Sequence, residues 1–177
     1  MNPPKGVFAQ IERILANFFW RGSDRHHCMS WKGLCYPYNE GGVQFRRLQD
    51  VSNAFTTKSW WNLITGTSLW KEFMLAKYCK RNHPLVTKWI TGQSQQWKAL
   101  CDIKYELEQN IIWLPGKGDV SFWYDNWTGP GPLYIHLPAN AKPKDVKIKE
   151  VLTQGSWQLD SMGIEVPESV RDEVAQH

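Results

Sequence analysis

The sequence predicts an α+β fold: a mainly helical body with one or two short β-hairpins, followed by an irregular C-terminal tail. Three observations carry this expectation. In four stretches apolar residues recur every three or four positions, which is the period of a helix with one buried face. Two short apolar runs, 110–113 and 120–123, flank Leu114-Pro115-Gly116-Lys117-Gly118-Asp119, turn chemistry that favours a chain reversal. Beyond Asn126, Pro130, Pro132, Pro138 and Pro143 punctuate a stretch without periodicity, as in an extended or loop-like path.

The first helix follows Pro3-Pro4-Lys5-Gly6 and carries Val7, Ile11, Ile14, Leu15, Phe18 and Phe19 on one face, ending near Gly22. A polar, basic stretch follows, and the aromatic, Pro and Gly text of 31–42 leads to a short strand or hairpin around Val43–Phe45. The second helix starts near Asp50 or Ser52, with Leu48, Val51 and Phe55 on one side and Trp61 and Ile64 farther along, and Gly66 stops it. The third, Ser68 to Tyr78, presents Leu69, Phe73 and Lys77 down one stripe with Trp70 and Met74 alongside. Residues 80–93 read as a connection, after which Ser94 caps a fourth helix to Asn110, with Trp97 near the face formed by Leu100, Ile103, Leu107 and Ile111. The expected hairpin over 110–124 sets Trp113 and Trp123 on paired strands. These elements suggest a domain over 6–127 and a proline-rich linker with a partial C-terminal segment over 128–177.

A chain of 177 residues with 42% hydrophobic and 21% charged residues is long enough for one core or two small ones and too short for a complete polymerase. Net charge is +4, unevenly spread: residues 1–149 hold 20 Lys/Arg against 11 Asp/Glu, whereas 150–177 hold one Arg against six acids. A basic body is compatible with phosphate contacts. Cys28, Cys35, Cys79 and Cys101 lack the close pairing of a disulfide scaffold, which points to a reducing compartment. No apolar signal segment and no run of 18 apolar residues occurs, so the expectation is an intracellular chain without a membrane partner.

Candidate chemistry is thin. His26, His27, Cys28 and Cys35 lie close in sequence but lack the spacing of a zinc site, so no metal and no cofactor are expected. Asp119 and Asp125 flank an aromatic run without the further carboxylates that hold two metal ions. Gly116-Lys117-Gly118 lacks the full phosphate-loop series and a following helix and reads as a turn. The stronger signal is basic and aromatic interleaving at Phe19-Trp20-Arg21, Trp31-Lys32, Arg46-Arg47, Lys58-Ser59-Trp60-Trp61, Lys77-Tyr78, Lys80-Arg81 and Lys88-Trp89. Lys and Arg neutralise a nucleic-acid backbone while an aromatic stacks on a base; the bland alternative is a solvated basic face over a Trp-rich core, since each of the 11 Trp is a natural apolar anchor.

Several fragments, in order, carry a family resemblance. Phe18-Phe19-Trp20-Arg21-Gly22 matches F-x-W-x-G, and Trp31-Lys32-Gly33-Leu34-Cys35-Tyr36-Pro37 matches W-x-x-x-C-x-P. Gly41-Gly42-Val43-Gln44-Phe45-Arg46 resembles G-G-L-G-x-R with Gln44 at the second small position, and Asn53-Ala54-Phe55-Thr56-Thr57-Lys58-Ser59-Trp60 resembles a shortened N-x-A-L-L-x-K-W. Ser68-Leu69-Trp70 through Lys77-Tyr78 and Gly116-Lys117-Gly118 through Phe122-Trp123-Tyr124-Asp125-Asn126-Trp127 complete the series. Over roughly residues 7–138 this resembles the connector downstream of the polymerase domain in plant LINE-type, non-LTR retrotransposon reverse-transcriptase and ribonuclease H polyproteins.

The resemblance implies a noncatalytic, thumb-like or linker segment. The family's paired polymerase aspartates, its ribonuclease H carboxylates and the Cys/His pattern that commonly follows the connector have no matching residues here, so polymerase and ribonuclease H activity would belong to other domains of the parent polyprotein. The implied partners are RNA or an RNA–DNA hybrid, contacted through Arg21, Lys32, Arg46, Arg47, Lys58 and Lys80, and the missing polymerase or ribonuclease H domains. Trp20, Trp31, Trp123 and Trp127 are expected as structural anchors. The alternative is an interdomain connector, or a degenerate retroelement remnant, that binds no nucleic acid.

Overall fold

The computed structural model describes residues 5–20, 29–80, 82–138 and 141–177. Among the described residues helices dominate, with one short antiparallel hairpin, so the fold class is the mixed, mainly helical one that the periodicity predicts. The chain divides into two units, one comprising 1–67 and 92–100, the other 68–91 and 101–177.

In the first unit, α1 spans Lys5–Phe19, α2 Trp31–Leu34 and α3 Leu48–Thr65. Ser30 caps α2 by accepting from the Gly33 N–H at 3.2 Å. Gly66 follows α3, its N–H donating to the Asn62 carbonyl at 2.9 Å. The face that α3 buries differs from the sequence expectation: Trp60 and Leu63 are fully enclosed while Phe55 and Trp61 stay exposed. Periodicity was a poor guide here because apolar residues lie all round this helix, so contact with neighbours alone picks the buried side. On α1 Ala16 is buried, and Ile14 and Phe18 stand exposed at 64% and 73%.

Between α2 and α3 the chain forms no regular strand at Val43–Phe45. It folds back on α2 through Val43 N–H to Leu34 O at 3.0 Å and Gln44 N–H to Tyr36 O at 3.0 Å. Gly42 makes this possible, because a Cβ there would lie 1.9 Å from the Tyr36 carbonyl oxygen. The helix α5, Gln95–Asn110, is capped by Ser94, whose Oγ accepts from the Trp97 N–H at 3.2 Å. Its residues to Leu100 belong to the first unit and those from Cys101 to the second.

The second unit opens with α4, Leu69–Met74, capped by Ser68 and continued by one π-helical turn over Leu75–Cys79. Met74, Tyr78 and Cys79 are buried, whereas the expected stripe of Leu69 and Phe73 is exposed. The Lys77 ammonium covers the rings of Phe73 at 5.2 Å and Tyr78 at 5.3 Å, attractive through the ring quadrupoles. Farther on come α6, Ile148–Val151, β1, Leu152–Thr153, β2, Ser156–Trp157, and α7, Glu168–Val174.

No hairpin forms over 110–124. The real hairpin lies at β1 and β2, with Leu152 opposite Trp157 and Thr153 opposite Ser156. Gln154 and Gly155 turn it with φ of 52° and 76°, the positive values that a two-residue turn needs to match strand twist. Residues 118–122 instead lie antiparallel to 146–149: Phe122 N–H donates to Val146 O at 2.9 Å, Ile148 N–H to Val120 O at 3.0 Å and Lys149 N–H to Gly118 O at 3.1 Å. In the proline-rich stretch Leu133 and Leu137 are buried, and beyond it so are Ile148, Val151, Val166, Val170 and Val174. Among the described residues no helix is long and apolar enough to cross a membrane.

Candidate functional site

The first unit holds most of the expected contact residues. It carries nine Lys/Arg and four Asp/Glu, a net +5, while the second unit has twelve of the former and thirteen of the latter. Lys32 on α2, Arg46 and Arg47 before α3, and Lys58 on α3 are all exposed, and no ion pair engages them among the described residues. Lys80 is exposed in the second unit, where the chain leaves its π-turn at φ 49°. Arg21, like His26, His27 and Cys28, lies outside the described residues.

Arg46 and Arg47 are drawn together at a cleft of about 350 Å³ whose lining includes Gln44, Phe45, Asp50 and Cys35. Behind it the sequence fragments converge as an aromatic cluster. Phe45 stacks on Trp31 at 5.3 Å with 19° between the planes, Phe19 meets Phe45 edge-on at 5.5 Å, and Trp20 meets Phe19 edge-on at 5.0 Å. Such offset and edge contacts exploit the ring quadrupoles, and they hold Trp20 and Trp31 half-buried. Gln44 sits at φ 59°, in the region that glycine tolerates best, which explains physically why a small residue would suit that place in the Gly-Gly fragment. Burial chiefly pushes the Cys35 thiol up, so it is no activated nucleophile.

In the second unit, Gly116–Trp127 is consumed by internal structure. Every residue from Ser121 to Trp127 is buried. Gly118 sits at φ 79°, and a Cβ there would lie 2.7 Å from the Lys149 Cβ and 2.9 Å from its backbone nitrogen, so both backbone angle and space demand glycine. The Trp127 indole N–H donates to Phe122 O at 2.9 Å, and its ring stacks on Trp157 at 5.5 Å. Trp123 is 1% exposed, and its carbonyl accepts from the Tyr134 N–H at 2.9 Å.

Asn126, fully buried, is the hub of this segment. Its side-chain nitrogen donates to the carbonyls of Glu108 and Gly129, both at 3.2 Å, and its Oδ1 accepts from Gly129 N–H at 2.9 Å and Gly131 N–H at 3.1 Å. Its own carbonyl accepts from Trp113 N–H at 2.8 Å. The signal was present in the aromatic-Asp-Asn-Trp text, but a short amide next to Trp reads as a turn residue until its partners are known.

The two acids flanking this segment do different things. Asp119 is exposed and paired with Lys149, whose hydrogen bond holds its carboxyl below the usual range. Asp125 is buried, accepts from the Ser121 N–H at 2.7 Å, and is pushed up chiefly by burial. The Ser121 hydroxyl in turn donates to Asp145 at 2.5 Å. These carboxylates serve backbone and loop contacts, and among the described residues no group of three or more His, Cys, Asp or Glu could hold a metal ion.

Two buried polar groups, Lys104 and Glu108, and a half-buried one, His83, escaped the sequence reading. Lys104 on α5 is 1% exposed and donates to the carbonyls of Pro84 at 3.1 Å and Thr87, while burial brings its ammonium down to about 8. Glu108 is buried one turn on and accepts from the Trp113 indole at 3.3 Å. His83 stacks flat on Tyr124 at 4.4 Å and accepts from the Leu85 N–H through Nδ1 at 3.3 Å. Burial is the main reason its imidazole falls to about 4. Lys and Glu on a helix ordinarily mark the wet face, so no periodicity argument would have put Lys104 and Glu108 inside.

An Arabidopsis thaliana protein described as a "putative ribonuclease H protein" is 24% identical to this chain over 151 residues, covering 80% of this chain and 24% of that protein. The chain thus spans about a quarter of the length of the curated relative it matches. The relationship to a ribonuclease H-like protein is a distant one. No protein-family profile and no solved structure matches the chain.

Proposed function

We propose that this chain is a noncatalytic connector segment of a LINE-type reverse-transcriptase polyprotein, lying after the polymerase domain, whose first unit touches the phosphate backbone of an RNA template or RNA–DNA hybrid. The single observation that carries the reading is the concentration of charge: the first unit nets +5, with Lys32, Arg46, Arg47 and Lys58 exposed. Exposed cations that no ion pair engages among the described residues can replace the counterions condensed on a polyanion. The resemblance in fragment order supplies the context, and polymerase and nuclease chemistry is assigned to other domains of the parent polyprotein.

A purely structural connector is favoured by a different observation, the burial of Trp123 and Trp127. Neither ring is available to stack on a base, so on this reading the second unit packs for the sake of the polyprotein's architecture and binds no nucleic acid. A salt titration separates the two. Binding of a labelled RNA–DNA hybrid to the full chain should weaken with salt, log K falling by about 0.7–0.9 per log salt for each phosphate contact. Neutralising Lys32, Arg46, Arg47 and Lys58 together should flatten that slope. No detectable binding at low salt overturns the nucleic-acid reading and leaves the structural one.

A further inference from the structure

We infer that the cleft before α3 seats one unpaired nucleotide, giving the first unit a preference for single-stranded RNA or DNA over a duplex. The inference rests on the nucleic-acid reading above and narrows it to a ligand form. The cleft, about 350 Å³, falls within the range of small-ligand sites. Phe45 lines it and is 37% exposed. Its stack on Trp31 and edge contact with Phe19 hold the ring in place before any ligand arrives, which lowers the ordering cost of stacking on it.

The polar lining divides by charge. Arg46 and Arg47 occupy consecutive positions at the cleft, suited to the phosphates on either side of a base or to stacking a guanidinium on it. Asp50 in the same lining disfavours a phosphate inside, so the recess suits the base and the arginines suit the backbone. Gln44 brings an amide with both donor and acceptor capacity and is kept at φ 59° by the bond of its N–H to Tyr36 O at 3.0 Å. Backbone strain of this kind persists only where the surroundings over-determine it. A duplex keeps its bases stacked inside, whereas a single strand splays bases out readily onto an exposed aromatic ring such as Phe45.

The test uses the full chain and fluorescence anisotropy at low salt, with a labelled oligouridylate and an RNA–DNA hybrid of the same length as probes. The single strand is expected to bind at least about fivefold more tightly than the hybrid. Phe45→Leu, which keeps apolar bulk against Trp31, should weaken the single strand by about tenfold and the hybrid by less than about twofold, while Phe45→Tyr restores the preference. Gln44→Gly relieves the positive φ, so it keeps the fold even where Phe45→Leu does not, and should weaken the single strand by about threefold. Equal affinity for both probes, unmoved by Phe45→Leu and Gln44→Gly, overturns the cleft and leaves phosphate binding by the first unit standing. Binding of neither probe removes both.

Discussion

Replacing Asn126 with Ala removes the group around which the second unit's central segment is wrapped. Its side chain makes four hydrogen bonds of 2.9 to 3.2 Å to the backbone of Glu108, Gly129 and Gly131. At about 0.5–1.5 kcal/mol net for each, with no water reaching a residue that is 0% exposed, the loss is about 4 kcal/mol. For a chain of 177 residues that corresponds to a fall of about 8–16 °C in Tm. Asn126→Asp is the sharper probe, since it preserves shape and acceptor but aims a carboxylate oxygen at the carbonyls of Glu108 and Gly129. Its loss at pH 7 should equal or exceed that of Ala. Burial raises the new carboxyl's pKa above its unfolded value, so the penalty is smallest at low pH, where one O–H can still donate, and grows as pH rises through about 4 and beyond. Urea unfolding followed by tryptophan fluorescence at pH 7 and pH 4 reads both effects against the parent chain. A loss below about 1 kcal/mol for Asn126→Ala, or an Asn126→Asp penalty that is the same at both pH values, would refute the hub role.

Trp127→Ala should cost about 3–5 kcal/mol, because the ring is buried, hydrogen-bonded to Phe122 O and stacked on Trp157; an unfolding loss under about 0.5 kcal/mol contradicts an anchor. Gly118→Ala meets Lys149 at 2.7 Å and a φ of 79°, and should cost about 2–4 kcal/mol in the same assay. His83 lies at about 4 against an ordinary 6.5. A depressed histidine contributes stability that is complete above about pH 6.5 and is lost as pH falls through 4, up to about 3 kcal/mol. His83→Phe keeps a ring on Tyr124 without the titration, so its urea midpoint should fall less than the parent's between pH 7 and pH 4.5; equal falls count against His83 as the acid-sensitive group.

Much of the helical layout was legible because local rules and tertiary context agree. Ser94 caps where it stands, and Gly66 ends α3, since a cap needs only a nearby N–H and a stop needs only a residue of poor helix propensity. The choice of buried face was not legible on α3 or α4, where Trp60 displaced Trp61 and Met74 displaced Phe73. Tryptophans next to each other in sequence have equal apolar value, and only the packing partner distinguishes them. The hairpin was placed at the wrong glycine pair for a similar reason. Gly116 and Gly118 do adopt positive φ, but the segment that pairs with 118–122 comes from 146–149, a distance in sequence that no turn rule reaches.

By itself, the sequence determined the class of fold, the Ser94 cap, the Gly66 stop and the uneven distribution of charge, because each follows from propensity, capping or counting along a short window. The tertiary structure alone decided that Lys104 and Glu108 are interior, that Asn126 organises the loops from Glu108 to Gly131, and that Arg46, Arg47 and Phe45 share one cleft with Trp31 behind it. In each case a polar or aromatic group is defined by partners many residues away. A buried ammonium needs carbonyls aimed at it, as those of Pro84 and Thr87 are, and the desolvation of a charge or an amide is tolerated only where such partners converge.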